Sequence, residues 1–119
     1  MRDVLAGTDF FADADDATLD MLAEAGSKRH LVRGDALFAE GDPPDALYVV
    51  MTGRIAIAIA NPIDRRESVV ALMEAGDLFG EMGMLDDLPR SALARALEPT
   101  TVVSIPYAPV TKMFDEQPR

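Results

Sequence analysis

Residues Phe79–Ala92, Phe-Gly-Glu-Met-Gly-Met-Leu-Asp-Asp-Leu-Pro-Arg-Ser-Ala, hold the chain's densest set of groups able to do chemistry. Arg90 offers a planar fork of donors matched to a phosphate, and Ser91 adds a hydroxyl beside it. Gly80 has no side chain, so backbone amides there can approach a ligand closely, and a helix starting after it would aim N–H groups at an anion. Glu81 supplies a carboxylate that can accept from sugar hydroxyls. One anionic end and one hydroxylated end describe a pocket for a sugar phosphate. The same residues also have plain structural readings. Arg90 could pair with Asp86 or Asp87 at a loop tip, a contact of small value, and Glu81 could favour a helix start through the dipole.

Other chemistries are excluded by what the chain lacks. There are no cysteines and one histidine, His30, so a disulfide framework, a thiolate zinc site, an iron–sulfur cluster and any site built on two imidazoles are ruled out. Cupin-type metal enzymes need two or three histidines and fail on the same count. Hydrolysis beside a bound phosphate would need a metal to make Asp86 and Asp87 tolerable there. The expectation is a binding domain with no metal, not an enzyme. His30 reads as a strand residue with no chemical role.

Eleven basic against 21 acidic residues give a net charge of −10. A surface this acidic repels nucleic acid and anionic membranes. The longest apolar runs, Ala46–Met51 and Ile55–Ala60, are six residues, far short of the ~20 that span a bilayer. The start, Met1-Arg2-Asp3-Val4-Leu5, does not read as a signal peptide, so the expected location is the cytoplasm.

The elements that must position the site follow from patterning. At 119 residues the chain has room for one domain with a single real core. Seven carboxylates and one base precede residue 27. Leu19, Leu22 and Ala23 recur at helical spacing after Asp15 or Asp16 as N-cap, with Gly26 as the stop. From residue 28 short apolar segments alternate with Gly, Pro, Asp and Asn. Strands are expected at Ala36–Ala39, Leu47–Met51, Arg54–Ala60, Ser68–Met73, Ala92–Ala96 and Val102–Pro106, in a sandwich, jelly roll or barrel. A helical turn after Gly80 interrupts this rhythm. Pro109–Gln117 reads as a last helix with Val110, Met113 and Phe114 as its apolar stripe. Met73, Met82 and Met84 read as adaptable core filler.

Two runs resemble a known family. Phe79-Gly80-Glu81 with Pro89-Arg90-Ser91-Ala92 looks like the phosphate-binding cassette of cyclic nucleotide-binding domains, with nine residues from Glu81 to Arg90. Upstream, Arg33-Gly34-Asp35-Ala36-Leu37-Phe38-Ala39-Glu40-Gly41, then Leu47-Tyr48-Val49-Val50 and Gly53, resembles the entry to that family's β-roll. The texture is closest to sensor domains of catabolite-activator and Fnr-type bacterial transcription regulators.

The resemblance implies a mainly β fold, a jelly-roll-like double-stranded β-helix. A helical segment at 1–27, a β-roll at 28–107 with the cassette at 79–92, and the start of a C-terminal helical region at 108–119 would make it up. It further implies that cyclic AMP is the ligand, with cyclic GMP as the other candidate. Arg90 would meet the cyclic phosphate, helped by Ser91 and the amides near Gly80 and Ala92, and Glu81 would accept from the ribose 2′-hydroxyl. Leu72, Phe79, Met82 and Leu85 would face the pocket's apolar side, unless Phe79 and Leu85 serve only as core. Gly34, Gly41 and Gly53 would form tight turns. The regulators continue into a long dimerising helix and a DNA-reading unit, whereas here the sequence stops after one short helix. Excised domain and standalone module are both open; in a full-length protein a homodimer is expected, and a DNA-binding, acetyltransferase, hydrolase or transporter output is each compatible with such a sensor. The competing class is a β-roll interaction module that takes no nucleotide.

Overall fold

The computed structural model describes residues 2–116. Among them, eight strands form two antiparallel sheets. One has the order β1 (Ser27–Leu31), β8 (Thr100–Pro106), β3 (Ala46–Thr52), β6 (Leu78–Phe79), and the other β2 (Ala36–Phe38), β7 (Leu93–Ala96), β4 (Ile55–Ala60), β5 (Glu67–Met73). This is the mainly β roll with flanking helices that the sequence led us to expect. The helices are α1 (Arg2–Ala6), α2 (Asp16–Ala25), α3 (Met82–Asp86) and α4 (Tyr107–Glu116), with a 3-10 turn at Asp9–Phe11.

The run Ala46-Leu47-Tyr48-Val49-Val50 is buried along its whole length because both faces of β3 are covered. Leu47 and Val49, with Val103 and Ile105 of β8, pack under the helices against Leu5, Phe11, Leu19, Leu22, Val110 and Met113. Their neighbours Ala46, Tyr48 and Val50, with Val102, face the second sheet and meet Ile55, Phe79, Ala94 and Ala96. A period of two thus splits one strand between two cores. β5 is different. As the edge of its sheet it leaves Val69, Val70 and Leu72 exposed, and it slips register against β4 between Ile57 and Ala58.

The helices start and stop for local reasons. Asp15 is the N-cap of α2 and accepts from the Thr18 amide at 2.8 Å. Gly26 caps the other end in extended, not left-handed, conformation, because the chain passes straight into β1. Lys28 and Arg29 therefore stand exposed in β1, just past the end of α2. β6, two residues long, was below what patterning can register. His30 lies in β1, its Nδ1 2.9 Å from Thr101 Oγ1. Arg2 reaches from α1 to Asp16 and Asp20 of α2, at 2.6 and 2.7 Å. α4 begins two residues before the expected Pro109, and Gln117 lies outside the described residues. Val110 and Met113 are buried as expected. Phe114 is instead 45% exposed, its ring edge-on to Phe10 at 5.5 Å.

Candidate functional site

The site is built where the strand rhythm breaks. β6 ends at Gly80, α3 follows after Glu81, and the chain returns through Leu88-Pro89 to Arg90 before entering β7. Gly80 has φ +82°, and a side chain there would lie 3.2 Å from both Arg90 Nη1 and Tyr48 Cδ2. Glycine is needed on both counts. The backbone of Arg90 is clamped to the β2–β3 turn. Its N–H donates to the Asp42 carbonyl and its carbonyl accepts from the Gly41 N–H, both at 2.8 Å. The Gly34-to-Gly53 region and the cassette, separate in sequence, thus hold each other. Gly34, Gly41 and Gly53 all sit at positive φ in turns, as expected.

A cavity of about 270 Å³ opens between α3, the Leu88–Ala92 segment and the second sheet. This is just below the ~300 Å³ typical of the smallest ligand pockets. Phe38, Ile57, Met73 and Phe79 form its apolar wall, and Gly80, Arg90 and Ser91 lie on the polar side. The Arg90 side chain is only 5% exposed. Its Nη1 donates to the Gly80 carbonyl at 2.8 Å and to the Tyr107 hydroxyl at 3.0 Å. Its Nη2 donates to the Ala46 carbonyl at 2.6 Å and to Asp45 Oδ1 at 3.4 Å. The guanidinium carbon stands 4.3 Å from the centroid of the Phe38 ring. Arg90 Nε is buried with no partner. The Tyr107 hydroxyl in turn donates to the Gly80 carbonyl. Burial raises the pKa of both Tyr48 and Tyr107, and the nearby Arg90 charge opposes that rise.

Phe79, Gly80, Met82, Arg90, Ser91 and Ala92 all border this cavity. Leu72 does not. It points away from the cavity and is 50% exposed, while its neighbour Met73 takes the inward position, as alternation along β5 requires. Leu85 is likewise exposed and absent from the lining. Met82 is no core filler, being 60% exposed at the cavity rim, and Met73 lines the wall. Glu81 also departs from expectation. It occupies the N-cap of α3 without making a capping bond, and it borders a separate groove with Thr8, Asp9, Phe10 and Asp77. Its Oε2 is buried without a partner. Arg90 pairs with Asp45, across the roll, and not with Asp86 or Asp87.

Sequence reasoning missed Asp45 and Tyr107, the side chains that hold the guanidinium, because they lie 45 and 17 residues from Arg90. It also missed Gly83. A Cβ there would run into Pro44 and lie 3.0 Å from the Tyr107 hydroxyl, so α3 packs flush against both. The only sequence signal was a glycine inside a short helix, where a close packing contact is the usual reason.

The model of the cyclic nucleotide-binding domain matches residues 28–117. The chain belongs to that family. This cyclic nucleotide-binding domain is 30% identical over 105 residues to the CRP-like cAMP-activated global transcriptional regulator of Mycobacterium tuberculosis, covering 88% of the chain and 46% of that protein. It is 34% identical over 117 residues to an uncharacterized NTE family protein of Mycobacterium bovis, covering 98% of the chain and 19% of the relative. The chain thus spans less than half the length of these relatives. Among solved structures, the N-terminal domain of a transcriptional regulator from Streptomyces coelicolor A3(2) superposes with a TM-score of 0.83 at 34% identity, covering 97% of the chain and 81% of that structure.

Proposed function

We propose that this domain binds a cyclic nucleotide, cyclic AMP foremost, and that Arg90 carries the interaction with the phosphate. The supporting observation is the state of that guanidinium. A cation 5% exposed is faced by two neutral carbonyls, a phenol and one carboxylate that is itself 76% exposed and 3.4 Å away. Carbonyls satisfy its hydrogen bonds but do not cancel its charge. A buried charge so weakly balanced favours an anion from the cavity. Within an acidic chain, this local cation and the apolar wall suit a small anion with an attached apolar ring. The Nε–H, buried and unpaired, gives a phosphate oxygen its first donor.

Ser91 stands exposed beside Arg90 and contributes a hydroxyl. Glu81 borders the neighbouring groove and not the cavity, so for its orphaned Oε2 to accept from a ribose hydroxyl its side chain must turn toward the Arg90 cavity on binding. The phosphate contact is common to both cyclic nucleotides, and one exposed hydroxyl contributes only about 0.5–1.5 kcal/mol. Cyclic AMP and cyclic GMP are therefore expected to bind within about tenfold of each other. We assign the domain a regulatory, non-enzymatic role in the cytoplasm, acting in a longer protein that controls transcription. The support is its likeness to a cAMP-activated transcriptional regulator and to a transcriptional regulator's N-terminal domain. Competition between the two nucleotides in a calorimetric titration tests the ligand assignment. A preference of a hundredfold or more in either direction would show that the roll itself reads the base.

A further inference from the structure

The short edge strand β2 is bulged. Ala36 lies opposite Arg95 and Phe38 opposite Ala94, so β2 has three residues where β7 has two. Alternation along a regular strand would turn Leu37 and Phe38 to opposite faces. The extra residue instead lets both pack against the same core, Leu37 buried in it and Phe38 partly buried beside it. Bulges beside binding sites re-aim side chains in this way.

So aimed, the Phe38 ring meets Arg90. The guanidinium carbon stands over that ring, 4.3 Å from its centroid, and lies 5.8 and 5.9 Å from the Tyr48 and Tyr107 centroids. Of the three rings only Phe38 also borders the cavity. Tyr48 and Phe79 pack against it at centroid distances of 5.9 and 6.3 Å. Within the fork, Nη1 and Nη2 have partners and the buried Nε–H has none. An aromatic face attracts a cation through its quadrupole, more strongly where water is excluded, yet it carries no net charge. A carboxylate in its place would also hold the cation, but it would repel the phosphate. The ring holds the guanidinium without cancelling its charge or occupying its open donor.

We infer that Phe38 is a positioning residue for Arg90, its ring holding the guanidinium by a cation–π contact that leaves the charge open to the ligand phosphate. The inference rests on the proposed nucleotide binding, and it gives Phe38 a task apart from forming the cavity's apolar wall.

The experiment combines calorimetric titration with cyclic AMP and the NMR signal of the Arg90 Nε–H, identified by its loss in Arg90→Lys. Wild type, Phe38→Leu and Phe38→Tyr are compared. In unliganded wild type the ring should shift that signal upfield of an exposed arginine's. Phe38→Tyr keeps the ring, and should keep the shift and bind within about twofold of wild type. Phe38→Leu keeps apolar bulk without the ring, and should lose the shift and bind about three- to tenfold more weakly. Equal binding by Phe38→Leu, or a loss that Phe38→Tyr shares, overturns the inference. Weaker binding by Phe38→Leu with the Arg90 signal unmoved also overturns it, since the ring would then serve the nucleotide alone. Wild type that binds cyclic AMP but shows its Arg90 signal at the exposed position refutes the inference while nucleotide binding stands, and that result needs no variant to fold. If wild type takes up no cyclic AMP, the proposed function falls and this inference with it.

Discussion

Arg90 does two jobs that a sequence pattern shows as one. It reads as a phosphate ligand, and in the fold it also ties β3, the end of β6 and α4 together through the Ala46 and Gly80 carbonyls and Tyr107. Arg90→Ala is therefore expected to lose nucleotide affinity by at least about a hundredfold, roughly 3 kcal/mol. It should not leave stability untouched, since it strips a charged donor from two interior carbonyls, at a cost of about 2–3 kcal/mol. Denaturant melts and titrations on the same samples separate the two losses. A variant as stable as wild type would mean that Arg90 does not brace the roll as described. Arg90→Lys keeps the charge but not the fork, and should fall between wild type and Arg90→Ala in affinity. Glu81→Gln should bind cyclic AMP more weakly while leaving 2′-deoxy cyclic AMP unaffected. Equal binding of the ribo and deoxy forms by wild type would remove the hydroxyl role.

At the scale of elements, α3 is the part whose packing is most exacting. Gly83→Ala sets a methyl against Pro44 and the Tyr107 hydroxyl, so α3 must shift. Overpacking of this kind typically costs about 1–3 kcal/mol. The melt should show that loss, and affinity should drop as the cassette is displaced. Unchanged stability would mean that α3 is not seated on α4. The cap of α2 gives a pH test. Hydrogen bonding from the Thr18 side chain, and next from its amide, holds the Asp15 carboxyl below its ordinary pKa of 3.8, so the cap stabilises the fold at neutral pH and fades as pH falls through that lowered value. Asp15→Ala should melt below wild type at pH 7, and the gap should close in strong acid. Much of this layout was legible beforehand. β3, β4, β5, β7 and β8 follow apolar runs bounded by turn residues, and α2 follows its helical period and cap. β1 was legible only at His30, because Ser27-Lys28-Arg29-His30 is polar and exposed, with only Leu31 buried. Its strand state comes from pairing with β8, which no local pattern shows. Leu72 was misplaced for a related reason: the slip in register between β4 and β5 sets which face each residue takes. Asp45 and Tyr107 were invisible because only the folded roll brings them to Arg90.

For the whole molecule, the charge of −10 and the buried guanidinium act at different ranges. The first sets the distant field and repels polyanions. The second sits in an apolar cavity where screening is weak and a single small anion can reach it. The 119-residue chain should accordingly show no measurable DNA affinity at physiological salt, and a salt-sensitive gel shift at micromolar concentration would contradict this. No helix among the described residues is long and apolar enough to cross a membrane. The central claim is that a cyclic nucleotide phosphate completes the charge balance of Arg90. Isothermal titration of the folded chain with cyclic AMP, alongside Arg90→Ala, tests it most directly. The account predicts saturable binding of one nucleotide per chain, lost by a hundredfold or more in the variant. A chain that melts cooperatively yet takes up no cyclic nucleotide, or a variant that binds as tightly as wild type, would contradict it.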